Sequence, residues 1–362
     1  MVRVFYFYKM IDYLIIGSGI AGICFAETAL QNNKTILVFD NDSQNSSKIA
    51  GGIYNPVILK RFSEVWNATE QVKFLNDFYP KVEKRLNIKI DFKIPVLRKF
   101  FSVEEQNNWF IASDKPNLTQ FLSTNILHKT YLGINSPFGF GKVLHTGYLD
   151  TALLLASYRT YLNQNKIYSH ESFNYSELTQ HSDYISYKNI KAKNIIFAEG
   201  FGLHANPYFN HLPLDGTKGE LLIIKAPNLN LDCILNSSVF ILPLGNNLFK
   251  VGATYNWADK TNNPTEDGKQ ELLERINELL ECKFEIIEHF AGIRPTVKDR
   301  RPLVGTHPKY KNIHILNGLG TRGVMLGPSL AHDLWQHIEH GTPLNSNSNI
   351  NRFDKKSRST TF

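Results

Sequence analysis

Residues 13–40 constrain the fold of this chain more than any other stretch. An apolar run over 13–16 is broken by Gly17-Ser18-Gly19-Ile20-Ala21-Gly22. Residues 23–30 then place small and apolar side chains on one helical face, and Gln31-Asn32-Asn33-Lys34 ends that helix. Residues 35–39 read as a second strand, closed by Asp40. A buried parallel strand reads as a short continuous apolar run. Gly17 permits a tight turn, Gly19 lets backbone approach a pyrophosphate, and Gly22 lets helix pack on strand. The N-terminus of the helix, with Ser18, Ile20 and Ala21 around it, offers free N–H groups and partial positive charge to phosphates. Asp40 stands where a carboxylate accepts ribose hydroxyls. An acid there, and not Arg or Lys, points to a ribose without a 2′-phosphate. The ligand expected is FAD or NAD, and this stretch does not separate them.

The next segment favours FAD. After Asp40 and Asn41 comes a polar loop, then Lys48-Ile49-Ala50-Gly51-Gly52-Ile53-Tyr54-Asn55-Pro56. In an NAD dehydrogenase a third strand follows within a short crossover. Here a small-residue segment intervenes, and Ala50, Gly51 and Gly52 would let backbone lie against a flat ring system.

Four blocks of sequence resemble the FAD-dependent amine oxidases of the D-amino-acid oxidase and glycine/sarcosine oxidase group. They are residues 17–40, the segment Ser46-Ser47-Lys48-Ile49-Ala50-Gly51-Gly52, the strand-like Asn194-Ile195-Ile196-Phe197-Ala198-Glu199-Gly200, and a C-terminal block. That last block runs from Ala291-Gly292-Ile293-Arg294-Pro295-Thr296 through Asp299 and Pro302-Leu303-Val304-Gly305 to Gly318-Leu319-Gly320-Thr321-Arg322-Gly323-Val324 and Pro328. The resemblance implies an α/β (α+β) chain with a discontinuous Rossmann-like FAD-binding domain over 10–75, 140–215 and 290–345. A mixed-sheet substrate domain over 76–139 and 216–289 would cover the reacting face. Strands are expected over 220–225, 240–242, 248–253 and 284–293, with helices over 267–281 and 324–338. Residues 346–362 are polar and basic and read as a disordered tail.

The resemblance also implies roles. Arg294 occupies the position that grips a substrate carboxylate, where a guanidinium offers two parallel donors. The competing reading pairs it with a protein carboxylate such as Asp299. Gly318, Gly320, Thr321, Arg322, Gly323 and Val324 form a glycine-rich loop opening a helix whose positive end would stabilise charge on the reduced flavin. Gly200 closes the strand beside the cofactor. Tyr54 and Arg61 follow the flavin segment, and Tyr255 roofs the site. Lys218 and Trp257 are weaker candidates. No cysteine lies close before Asp299, so FAD is expected to be non-covalent.

Glycine oxidases carry an arginine one position earlier, at Thr321. Thr321-Arg322-Gly323 and Gly51-Gly52-Ile53-Tyr54-Asn55-Pro56 are closer to the oxidase half of the bifunctional enzyme that makes 5-methylaminomethyl-2-thiouridine in tRNA. The reaction implied is hydride transfer from the substrate α-carbon to flavin N5, followed by peroxide release. It needs alignment and water exclusion more than a strong base, so none of the twelve histidines is assigned as one. The expected partners are a small amino-acid-like substrate and oxygen. tRNA, or a protein electron acceptor, is the alternative, and oligomeric state is left open.

The remaining composition adds little. The 362 residues carry a net charge of +7, which suits anionic ligands or nucleic acid. A basic tail in a lysine-rich chain gives the same figure. Cys24, Cys233 and Cys282 are few and widely spaced, which suggests neither a disulfide framework nor a metal site and fits a reducing cytoplasm. No apolar run reaches the ~20 residues of a membrane helix. The basic, aromatic leader 1–9 is too short in its apolar part for a signal peptide, and Met10 reads as an alternative start.

Overall fold

The computed structural model describes residues 10–354. The chain divides into two compact units, one of 1–48, 152–216 and 294–362, the other of 49–151 and 217–293.

The first unit is built on the strand Ile11–Ile16. Its continuous apolar run pairs in parallel with Ile36–Asp40 on one side and Ile190–Phe197 on the other. Tyr168–His170 extends the sheet beyond Ile36–Asp40, and Ile313–Asn317 lies parallel to Ile190–Phe197. Leu303–Thr306 pairs antiparallel with Ile313–Asn317. Among the described residues this sheet has eight strands. Leu14, Ile16, Phe39, Ile195, Phe197, Ile313 and Ile315 form its core.

Two helices matter for the site. Ile20–Gln31 follows the first glycine turn, and Gly323–His340 follows the last one. They pack so closely that a Cβ added at Gly327 would stand 2.8 Å from Cys24 Sγ and 3.3 Å from Ile20 Cγ2. Two blocks some 300 positions apart in sequence therefore meet in one unit.

The second unit holds another eight-stranded sheet among the described residues. Its order runs Glu285–Arg294, Thr217–Lys225, Leu248–Gly252, Phe240–Gly245, Ile234–Asn236, Val96–Lys99, Phe140–Val143, Leu122–Leu127. The sheet is mixed: Ile234–Asn236 runs parallel to Val96–Lys99 and antiparallel to Phe240–Gly245. The helix Glu266–Asn277 buries Leu272 and Ile276 against it.

Two boundaries differ from the sequence reading. The chain enters the second unit after Lys48, not after 75, because Ile53–Tyr54 pairs antiparallel with Gly147–Leu149. It stays there to Thr151, beyond the expected return at 140. The polar tail also starts later than expected. Val304 N–H donates to Ser348 O at 2.9 Å, the turn Ile350–Phe353 follows, and Arg352 Nε pairs with Asp299 Oδ2 at 2.8 Å. Residues 346–354 are thus part of the first unit, while 355–362, like the leader 1–9, lie outside the described residues. Among the described residues no helix is long and apolar enough to cross a membrane.

Candidate functional site

The first glycine turn is as tight as its sequence requires. Gly17 has φ +102°, and a Cβ there would stand 2.4 Å from Ala198 O. A Cβ at Gly22 would stand 1.9 Å from Gly17 O. Gly19 is the N-cap of Ile20–Gln31 and supplies no side-chain cap. Ile20 N–H donates to Ser47 Oγ at 3.2 Å. Ser18 N–H and Oγ donate to Asp40 Oδ2 at 2.5 and 2.8 Å, and Asp42 N–H donates to Oδ1 at 2.7 Å. The turn thus orients Asp40 at the C-terminal end of its strand. Asn41 holds the following loop through Ser43 N–H at 3.1 Å and Ser172 Oγ at 3.0 Å.

The second glycine loop follows the strand Ile313–Asn317 of the same sheet. Asn317, 2 % exposed, donates from Nδ2 to Gly200 O at 3.0 Å and accepts Gly318 N–H on Oδ1 at 2.7 Å. Gly320 N–H donates to Pro295 O at 3.0 Å, which sets the loop beside Arg294. Arg322 is the N-cap of Gly323–His340, and its carbonyl accepts from Met325 and Leu326 N–H. Thr321 is exposed and Val324 is buried. Asp299 is engaged by Arg352 through Oδ2 and Oδ1, so that carboxylate is taken by another arginine.

Beside Gly200, the Glu199 carboxyl is bonded by the hydroxyl of Tyr175 and, at 2.7 Å, by Asn206 Nδ2. Burial pushes its pKa up to about 7, against the pull of those two donors.

In the second unit, Ala50, Gly51 and Gly52 are held against the sheet. Lys250 Nζ donates to Ala50 O at 3.1 Å, and Leu149 N–H donates to Gly52 O at 3.0 Å. Gly52 has φ +68°, and a Cβ there would stand 1.9 Å from Leu149 O. A Cβ at Gly51 would stand 2.9 Å from the ring of Phe240. Burial lowers the pKa of Lys250, opposed by Asp150 and Glu288.

Tyr54 is not presented as a reacting group. It is 2 % exposed and donates its hydroxyl to Asp91 Oδ1 at 2.7 Å. Burial, then the Asp91 charge, push its pKa up. Tyr54 is core. Tyr255, in contrast, is 60 % exposed. Arg61 is exposed too.

Backbone N–H groups, two helix N-termini and an oriented carboxylate make a donor and acceptor set for a pyrophosphate and a ribose. These residues fit FAD. The sequence model of the FAD dependent oxidoreductase family matches residues 12–336. The chain belongs to that family.

This FAD-dependent oxidoreductase is similar to the glycine oxidase of Pseudomonas aeruginosa, with 21% identity over 342 residues, 87% of this chain and 91% of that one. It is also similar to the tRNA 5-methylaminomethyl-2-thiouridine biosynthesis bifunctional protein of Marinobacter nauticus. That match is 27% identical over 167 residues, 42% of this chain and 26% of that one. Among solved structures, the glycine oxidase of Geobacillus kaustophilus superposes with a TM-score of 0.75 at 18% identity, over 94% of this chain and 98% of that one. The last likeness shows the fold.

Ser47, Asn317, Lys250 and Glu199 were not singled out as site residues by the sequence. Lys250 had a signal, a lysine inside the otherwise apolar strand Leu248–Gly252. Asn317 had a weaker one, a polar residue closing the buried strand Ile313–Asn317.

Proposed function

We propose that this oxidoreductase oxidises the carbon–nitrogen bond of a small amino acid, a glycine-like, D- or N-substituted glycine substrate, with oxygen as electron acceptor. The observation that carries the reading is the junction in the first unit where Gly320 N–H meets Pro295 O. It sets Arg294 beside the glycine loop that opens Gly323–His340.

Arg294 would take the substrate carboxylate through two parallel N–H donors, a charge-assisted interaction of about 1.5–3 kcal/mol. That fixes one end of the substrate and orients its amine. FAD, when bound, would supply the two-electron chemistry for oxidising the carbon–nitrogen bond with oxygen as acceptor. The turn at Gly17–Gly22 and the ribose carboxylate of Asp40 would hold the dinucleotide end. Arg322 and Gly323 would bring the positive end of their helix to the ring. Lys250, bonded to Ala50 O, would hold the Ala50–Gly52 segment in place. The FAD is held without a covalent link.

The test is anaerobic addition of glycine, sarcosine, D-alanine or D-proline to the yellow protein. Loss of the oxidised flavin bands with one of them supports the reading. An unchanged spectrum with all four, and with a carboxymethylaminomethyl nucleoside, contradicts it. A second reading, oxidation of a carboxymethylaminomethyl group on a tRNA uridine, is supported by Thr321-Arg322-Gly323 and by the similarity to the bifunctional tRNA enzyme. Bleaching by the nucleoside or by tRNA alone would select it.

A further inference from the structure

The backbone at 198–200 touches both glycine loops of the first unit. A Cβ at Gly17 would stand 2.4 Å from Ala198 O and 3.4 Å from Glu199 Cα, so the first turn rests on this stretch. Gly200 O accepts Asn317 Nδ2 at 3.0 Å, and Asn317 Oδ1 accepts Gly318 N–H at 2.7 Å. The loop after Asp40 meets the same place: a Cβ at Gly202 would stand 3.6 Å from Gln44 Nε2 and 3.6 Å from Glu199 Cβ.

The side chain of Glu199 ties this stretch into the interior. The Tyr175 hydroxyl bonds its Oε1, and Asn206 Nδ2 donates to its Oε2 at 2.7 Å. Asn206 is 0% exposed, and its own Oδ1 accepts Tyr208 N–H at 2.9 Å. Burial disfavours an ionised carboxyl unless a cation or several donors meet it. Here the partners are two neutral donors, and no charged side chain among the described residues takes part. Burial outweighs them, so the group titrates at about 7. The other titratable groups on the surrounding elements have partners of their own. The Tyr208 oxygen accepts Gln180 Nε2 at 2.7 Å, and His204 packs edge-on against Phe201. Asp40 accepts Ser18 N–H and Oγ, and Asp42 pairs with Arg159.

The dinucleotide brings a pyrophosphate with two negative charges to the turn that rests on this backbone. Like charges oppose each other more strongly in a protein interior than in water, so binding favours the neutral carboxyl. Linkage makes the effect reciprocal: the factor that binding adds to the proton affinity of Glu199 is the factor that the proton adds to dinucleotide affinity. The neutral form keeps both bonds. Its Oε2 still accepts from Asn206, and an Oε1 hydroxyl can donate to the Tyr175 oxygen.

We propose that Glu199 couples proton uptake to dinucleotide binding: its anchored carboxyl positions the backbone on which both glycine loops rest, and the dinucleotide draws a proton onto it. This goes beyond the amine-oxidation reading and is tested apart from it, because it concerns the hold on FAD and not the substrate.

The experiment follows FAD release from the full-length holoenzyme by recovery of flavin fluorescence, from about pH 6 to about pH 8.5, a range that brackets the titration of Glu199. The wild-type Kd is expected to rise on the order of tenfold across it, the rise setting in near pH 7. Glu199→Gln imitates the neutral form and is expected to hold FAD equally tightly throughout. Calorimetry of FAD binding to the flavin-stripped full chain, at about pH 7.5 in two buffers of different ionisation enthalpy, counts protons directly. Uptake is expected in the wild type and none in Glu199→Gln. Tyr175→Phe removes a donor that favours the ionised form, so the rise should set in at higher pH. That arm remains if Glu199→Gln does not fold. A wild-type Kd that is flat with pH, the same dependence in Glu199→Gln, binding without proton uptake, or an unshifted onset in Tyr175→Phe overturns the coupling.

Discussion

Gly327 packs against Cys24 with no space for a side chain: a Cβ on the glycine would stand 2.8 Å from the thiol sulfur. This contact joins the helix behind the first glycine turn to the helix behind the last one. Gly327 thus lets these two helices approach closely, Ile20 lying beside the same glycine.

Gly327→Val should push these helices apart. Overpacking of a core contact costs about 1–3 kcal/mol. The expected result is a lowered melting temperature and weaker FAD affinity, read by thermal unfolding and by flavin fluorescence on reconstitution. Wild-type FAD affinity in a folded Gly327→Val protein would show that the helices are not set by this contact.

Glu199 predicts a pH dependence. Burial raises its pKa from the ordinary 4.5 to about 7, so the folded chain holds the proton more tightly than the unfolded one. Stability from this group is present at low pH and is lost as pH rises from about 4.5 to about 7. Glu199→Gln keeps most of the hydrogen-bonding shape without the titration. Urea midpoints measured from pH 4.5 to 8 should fall less steeply in the variant. Parallel slopes for the two proteins would remove Glu199 from the explanation.

Much of this site was legible in the sequence because it is local. Gly17, Gly19, Gly22 and Asp40 lie within one strand–turn–helix–strand, where each residue's demand on the backbone follows from its neighbours. The strands Thr217–Lys225 and Glu285–Arg294 were readable from their apolar runs for the same reason. What was not legible depends on distant partners. Asn317 acquires its role only when Gly200 arrives beside it, 117 positions away in sequence. Tyr54 looked like a site residue until Asp91 claimed its hydroxyl. Residues 346–354 looked like tail because their composition is polar, yet Asp299 and Val304 supply partners that composition does not reveal.

Lys218→Met tests the anchoring of the segment 254–265, where the buried Lys218 ammonium donates to the Asp259 carboxylate and to Asn263 O. Removing one partner of a buried ion pair costs about 3–5 kcal/mol, and here it would release Asp259 and Asn263 together. Limited proteolysis should cut first within 255–265. A cleavage pattern identical to the wild type's would mean that the segment is held by other contacts.

Arg294→Ala should keep the flavin and lose the grip on the substrate carboxylate, raising KM by a factor of ten or more, with Arg294→Lys intermediate. Steady-state kinetics on the best substrate, alongside the visible spectrum, separates this from loss of cofactor. Full turnover in Arg294→Ala would remove the carboxylate role.

The most direct measurement is the visible spectrum of the purified, oxidised protein before and after anaerobic addition of an N-substituted glycine. A yellow protein whose flavin bands are lost on adding sarcosine or N-benzylglycine, and return with peroxide on admitting oxygen, is the predicted result. A yellow protein whose bands no amine, nucleoside or tRNA removes would contradict oxidation of a carbon–nitrogen bond.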